Sequence, residues 1–288
     1  CYLSFYGSIL CTISSLYYYS SLILHHRCTN TIAIETASQK KEVINKVKDE
    51  TLAVVSKLEA NETVAATAQF LFLKGKTYNV AEEYDALAEQ ALSKAVKLNP
   101  KHVEGWNELG ECFWKKRDLV QARTCFESAL KLEDNKISFR SLSMLLRQVG
   151  TSDLEKNNNI DESLKFAKNA IKADATDGHS WFVLGNTYLA MFFARMETVD
   201  HVKQALKAYK KAETDKTEGT NNPDLHMNRA TIHRYQEDYA QAIEGFQLAA
   251  LLDPGWPEPT NALQQLQEKL ERINTMITKK GGFKAKKL

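Results

Sequence analysis

From about residue 65 onward, apolar positions recur at the three- and four-residue intervals of amphipathic helices, and the helices come in pairs. One stretch sets Trp106, Leu109, Gly110 and Phe113 on a first helix, then Ala122, Phe126 and Ala129 on a second. Another repeats the order with Trp181, Leu184, Gly185 and Tyr188, followed by Ala205, Tyr209 and Ala212. A further stretch keeps Ala230, Ala242, Phe246, Ala249 and Pro254. Small residues at fixed places let two helices approach closely, and large aromatic residues fill the space between one pair and the next. Each pair leaves an apolar face that only its neighbour can cover, so such pairs stack.

Less regular segments complete the array. Around Phe70, Leu73 and Tyr78, then Ala88, Leu92 and Ala95, lies a degenerate copy ending at Asn99-Pro100, with Gly75 one place early. The pair starting near Ile137 departs most from the pattern. Its first helix is expected to stop at Gly150-Thr151-Ser152, Lys156 to Asn159 to form an exposed loop, and Asp161 to cap the helix carrying Leu164, Ala167, Ala170 and Ile171. The Trp181 pair has about eight extra residues between its helices, near Met191 to Val202. Glu218 to Pro223 reads as a turn. After Asp253-Pro254-Gly255-Trp256-Pro257, a polar helix over 258–278 shows one apolar face, Leu263, Leu266, Leu270 and Ile273, suited to covering the open end of a stack. These are the marks of the 34-residue tetratricopeptide repeat. The expected fold is therefore all-α, a tetratricopeptide-repeat solenoid with a C-terminal capping helix. Its parts are an unmatched apolar N-terminus at 1–35, an N-terminal helix at 36–64 with Val43, Val47, Leu52 and Val55, the repeat array at 65–257, the capping helix at 258–278 and a basic linker at 279–288. Trp106 is expected to be buried in the array.

Composition narrows the functions open to the chain. Its 288 residues suffice for a substantial core. With 38 basic and 36 acidic residues the net charge is +2, which argues against a whole-surface nucleic-acid binder and leaves room for a local basic patch. Cys112 and Cys125, two of the 5 cysteines, fall at packed positions and read as free thiols. The segment from Cys1 to Ile23 is uncharged and long enough to span a bilayer, but serines, a threonine and tyrosines dilute its apolar character. It is read as spurious or disordered rather than as a membrane anchor.

Catalytic patterns are missing from the sequence. Lys74-Gly75-Lys76-Thr77 contains a Gly-Lys-Thr, but Phe70 stands where a phosphate-binding loop needs its first glycine. No H-E-x-x-H, paired Cys-x-x-Cys or nucleophile elbow occurs. The chain is expected not to be an enzyme, and no cofactor, metal or small-molecule substrate is expected. Function should lie on the inner face of the first helices. Taking Trp106 and Trp181 as fourth positions, the fifth, sixth and ninth give Asn107, Glu108 and Glu111, then Phe182, Val183 and Asn186. Taking Leu142 as fourth makes Arg147 ninth, and Asp224, Met227, Asn228 and Thr231 share this face in the last pair. One arginine among carboxylates and amides suits a short peptide bearing both charges.

Beyond the general repeat, Asn222-Pro223-Asp224-Leu225-His226-Met227-Asn228-Arg229-Ala230-Thr231-Ile232-His233 and Asp253-Pro254-Gly255-Trp256-Pro257-Glu258-Pro259 resemble the tetratricopeptide repeat protein 5 family, the stress-responsive activators or Strap proteins. Leu142-Ser143-Met144-Leu145-Leu146-Arg147-Gln148 and Ser180-Trp181-Phe182-Val183-Leu184-Gly185-Asn186 support the likeness, which runs from about Gln39 to Leu288. The resemblance implies a C-terminal oligonucleotide/oligosaccharide-binding-type barrel beginning where this chain stops. It also implies binding of the N-terminal peptide of nascent tubulin at the ribosome, which triggers decay of tubulin messages through an mRNA-decay adaptor. That peptide starts with methionine, arginine and an acidic residue. Arg147 would hold the acid, Asp224 and Glu258 the arginine and amino terminus, with Asn186 and Asn228 beside them. Lys284, Lys286 and Lys287 would contact ribosomal RNA. The alternative the family implies is a nuclear stress-responsive transcription cofactor scaffolding an acetyltransferase complex, so both cytoplasm and nucleus are expected locations.

Overall fold

A computed structural model describes residues 37–60, 63, 66–195, 199–215 and 219–280. Among these, twelve α-helices and no strand are found. They are α1 (Ala37–Glu59), α2 (Ala68–Tyr78), α3 (Ala86–Leu98), α4 (Val103–Lys115), α5 (Leu119–Leu132), α6 (Lys136–Leu146), α7 (Asp153–Ala173), α8 (Gly178–Arg195), α9 (Val199–Ala212), α10 (Pro223–Tyr235), α11 (Tyr239–Leu252) and α12 (Pro257–Lys280). The chain divides into two compact units, Cys1–Thr220 and Asn221–Leu288.

In the first unit α2–α3, α4–α5, α6–α7 and α8–α9 are antiparallel pairs, and each pair packs on the next through α3–α4, α5–α6 and α7–α8. The small positions do what the spacing demands. A Cβ on Gly110 would stand 2.7 Å from the Phe126 ring, and one on Gly185 would stand 2.4 Å from Tyr209, so only glycine lets these rings cross the first helix. Gly75 meets Leu92 in the same way, at 2.5 Å. Gly75 therefore occupies its regular place on α2, and the extra residue lies in the connection before α3. The Gly-Lys-Thr is helix interior, not a loop. Ala88, Ala122, Ala205 and Ala242 are all fully buried.

Cap residues fix the register. Thr67, Asn135 and Asn222 each accept a hydrogen bond from the backbone N–H three residues on, at 3.2, 2.8 and 3.2 Å. Counting from the cap, the fourth residue of successive first helices is Leu71, Trp106, Phe139, Trp181 and His226. Trp106 and Trp181 behave alike. Each indole N–H donates to a carbonyl six residues back, that of Pro100 or Ala175, both at 2.8 Å. Trp106 is only half-buried, contrary to the expectation of full burial, because its ring lies over the turn that enters the repeat.

The irregular pair corrects the sequence reading. The helix α7 starts at Asp153, so the loop expected at 156–159 is helical and Asp161 is not its cap. Ser152 caps it, accepting from the Glu155 N–H at 3.2 Å, while the Glu155 carboxylate reaches back to the Thr151 N–H at 2.8 Å. Arg195, at the end of the lengthened α8, ties down this extension. It ion-pairs with Asp161 at 2.8 Å and donates to the Asn157 carbonyl at 2.9 Å. The extra residues expected between the helices of the Trp181 pair thus largely prolong α8. Gly150, at φ 130°, supplies the left-handed turn between α6 and α7.

In the second unit α10 pairs with α11, and α12 lays Ala262, Leu263, Leu266 and Leu270 on α11 and its neighbours. Both Cys112 and Cys125 are buried free thiols, pushed up by desolvation to about 11 and about 12, and so are unreactive at neutral pH. No helix among the described residues is long and apolar enough to cross a membrane.

Candidate peptide-binding site

Arg147 ends α6. Counted from the Asn135 cap it is the twelfth residue of its repeat, not the ninth, because Phe139 rather than Leu142 takes the fourth place. Its Nε–H donates to the Ser143 carbonyl at 3.4 Å. No carboxylate among the described residues pairs with it. Desolvation pulls the guanidinium down to about 10, with Tyr209 close enough to act in the opposite sense. It stays charged at neutral pH. A largely desolvated cation without a counter-ion is costly, and that cost falls when an anionic ligand arrives.

Tyr209 is near enough to Arg147 to act on its charge and is bonded to Asn186. Its ring is fully buried against Gly185, and its hydroxyl donates to Asn186 Oδ1 at 2.7 Å. Beneath them lies a buried cluster of hydroxyls. Ser163 Oγ donates to the Ser143 carbonyl at 2.8 Å, Ser143 Oγ and Ser163 Oγ are 2.9 Å apart, and Thr187 Oγ1 is 3.3 Å from Ser143 Oγ. This cluster holds the last turns of α6 against α7 and α8, and with them the position of Arg147. The structure thus brings Arg147 and Asn186 together. Tyr209 was read from sequence only as a packing residue. The signal was a tyrosine where other pairs carry phenylalanine, since a buried phenol oxygen requires a partner.

The other first-helix positions divide. Asn107 is buried, linking to the Asn135 cap at 3.2 Å and to Ser138, so it joins repeats rather than facing outward. Val183 is fully buried in the core. Glu108 accepts from Asn79 at 3.1 Å and pairs with Lys76 at 3.8 Å, and Glu111 pairs with Lys115 at 3.5 Å. These charges are already satisfied.

The second unit carries Asp224, Asn228 and Glu258. Asp224 lies in the first turn of α10, Asn228 one turn on, and Glu258 in the first turn of α12. Both acids favour the positive end of their helix. Asp224 keeps an open surface, yet its carboxyl is raised above the usual carboxylate value by desolvation and by the charge of Asp253. An added positive group there would relieve the crowding of negative charge and offset the cost of desolvation. Met227 packs into the core of this unit, and Thr231 donates to the Met227 carbonyl at 2.9 Å, so neither is an open groove residue. Lys284, Lys286 and Lys287 lie outside the described residues, as does the segment 1–35.

Helix pairs that repeat the same spacing of small residues and buried alanines define a tetratricopeptide repeat solenoid. The family model described as Tetratricopeptide repeat matches residues 86–136. Within that class, the proteins named Tetratricopeptide repeat protein 5 from Homo sapiens and Mus musculus are each 45% identical over 259 residues. That match covers 90% of this chain and 58% of each relative. Among solved structures, yeast Tom70 aligns with a TM-score of 0.56 at 17% identity, covering 88% of this chain and 47% of Tom70. The human IFIT1 dimer with PPP-AAAA gives 0.55 at 15% identity, covering 73% and 49%. At such identities these two show a shared fold.

Proposed function

We propose that the chain is a non-enzymatic adaptor whose first-helix face binds a short peptide carrying an acid near its amino terminus, the N-terminus of nascent tubulin, and that it does so at the ribosome to trigger tubulin mRNA decay. The observation that carries this reading is Arg147, a desolvated guanidinium with no carboxylate partner among the described residues. A carboxylate is the ligand that such a group binds most strongly, and it can be held bidentately. In this reading Asn186 supports the same end of the peptide. The second unit by itself carries Asp224 and Glu258, whose negative charge suits an arginine or an amino terminus, and Asn228, which adds an amide. The comparison with Tetratricopeptide repeat protein 5 supports a protein-binding adaptor, and the tubulin peptide is the ligand that the family resemblance read from the sequence implies. Lys284, Lys286 and Lys287 provide the ribosomal contact.

Co-sedimentation with ribosomes tests this reading. Ribosomes translating tubulin should retain the chain, and ribosomes stalled on a message whose product lacks the acidic residue should not. Equal retention on both would refute it. The raised carboxyl of Asp224 adds a pH signature. Its charge is lost as pH falls through a value above the ordinary 3.8, so peptide affinity should decline on acidification earlier than for a site built on unperturbed carboxylates. Asp224→Asn should remove that early decline, as followed by titration calorimetry across the acid range.

A further inference from the structure

The outer faces of two neighbouring second helices carry a concentration of positive charge that the peptide site does not use. On α7, Lys168 and Lys172 stand one turn apart, and on α9 Lys207, Lys210 and Lys211 share one face. All five are exposed, and none forms an ion pair among the described residues. The acids of the same helices are engaged elsewhere. Asp161 holds Arg195 at 2.8 Å, Glu162 meets Arg123 at 3.5 Å and Asp200 meets Lys203 at 3.7 Å. The second half of each helix is therefore basic, with its lysines unmatched by the acids of the first half. Because α7 and α9 both run antiparallel to the α8 that separates them, their basic halves lie toward the same end of the stack. In a chain of net charge +2 this is a segregation of charge.

We propose that these lysine faces bind the phosphate backbone of duplex RNA. Two features favour that partner over an acidic protein. Lysine is depleted from protein–protein interfaces, which centre on buried aromatic and aliphatic anchors, and no exposed large apolar residue interrupts Lys168–Lys172 or Lys207–Lys211. Single strands are gripped by stacking bases on aromatic rings, and neither face offers one. What remains is a set of exposed ammonium groups, suited to the phosphates of a helix and indifferent to its sequence. The choice of RNA over DNA rests on the ribosomal setting proposed above.

The test is fluorescence anisotropy with a labelled duplex RNA of about 20 base pairs, long enough to cover several phosphate contacts. The 288-residue chain is used with Lys284, Lys286 and Lys287 changed to Glu, so that the tail contributes nothing. Replacing Lys168, Lys172, Lys207, Lys210 and Lys211 by Gln should weaken binding about tenfold or more at low salt, and should flatten a salt slope of about −4 toward zero. Helical content and thermal midpoint should not change, since all five side chains are exposed. Affinity for a peptide beginning Met-Arg-Glu should also be unchanged, which separates this surface from the peptide site. Unaltered RNA affinity in the five-fold variant would overturn the proposal. So would tighter binding of a poly-glutamate peptide than of RNA, lost in the same variant, because the face would then be an acidic-protein dock.

Discussion

In the pair α4–α5 the fixed positions of the repeat are filled by carbon, and in the next pair, α6–α7, the equivalent positions carry hydroxyls. Gly110, Ala122 and Phe126 close the first pair, the ring crossing directly over the glycine. Ser143, Ser163 and Ala167 stand in their places in the second. A regular pair is held by shape and needs no hydrogen bond in its core. The irregular one must satisfy its buried hydroxyls, and does so with each other, with Thr187 and with the Ser143 carbonyl. The polar core lies where α6 ends and Arg147 begins. A repeat that departs from its own rule at consecutive positions does so beside the one desolvated arginine of the candidate site, as expected where function rather than stability has set the sequence.

The largest effect should come from removing the ring that the irregular pair lacks. Phe126→Ala should destabilise by about 3–5 kcal/mol, read from the midpoint of chemical denaturation. Ala167→Phe, which restores the regular residue to α7, should also destabilise, by about 1–3 kcal/mol, since the space is already packed. A gain in stability would mean that α6–α7 is merely a degraded copy. Trp106→Ala should cost about 2 kcal/mol, below the cost of a fully buried ring, because Trp106 is half-exposed. Ser163→Ala should cost about 1 kcal/mol, the net worth of a satisfied hydrogen bond, and should lower peptide affinity by loosening the end of α6. Loss of stability with untouched affinity would disconnect the hydroxyl cluster from the site.

Much of the fold is legible in the sequence, because glycine–ring crossings and buried alanines are packing constraints that leave few alternatives. The spacing of Trp106, Gly110, Ala122 and Phe126 corresponds directly to what the helices do. The irregular pair was harder to read. With serine at two small positions and alanine in place of the ring, its pattern matched the repeat three residues out of register. Three asparagines at 157–159 suggested a loop, yet Ser152 and Glu155 form the start signal of a helix, and Arg195 stabilises it from another element. The site is legible in part. Arg147 stands out as an arginine on an apolar helix, although the reasoning that placed it used the wrong register. Asn107 and Val183 were misassigned because repeat position alone does not reveal which side chain the next pair will cover. Tyr209 reads from the sequence only as a packing residue, because its hydroxyl partner, Asn186, lies 23 residues away.

The most direct measurement is the titration of a peptide beginning Met-Arg-Glu into the wild-type chain and into Arg147→Ala, with thermal unfolding of both recorded in parallel. Because Arg147 is desolvated and makes one long backbone hydrogen bond, its removal should leave the unfolding midpoint unchanged or slightly higher. Peptide affinity should fall by about 50-fold or more, the loss of a partly desolvated charge-assisted pair of a few kcal/mol. Equal affinity for the two proteins, with both folded, would contradict the assignment of Arg147 as the anion-binding residue and with it the peptide site.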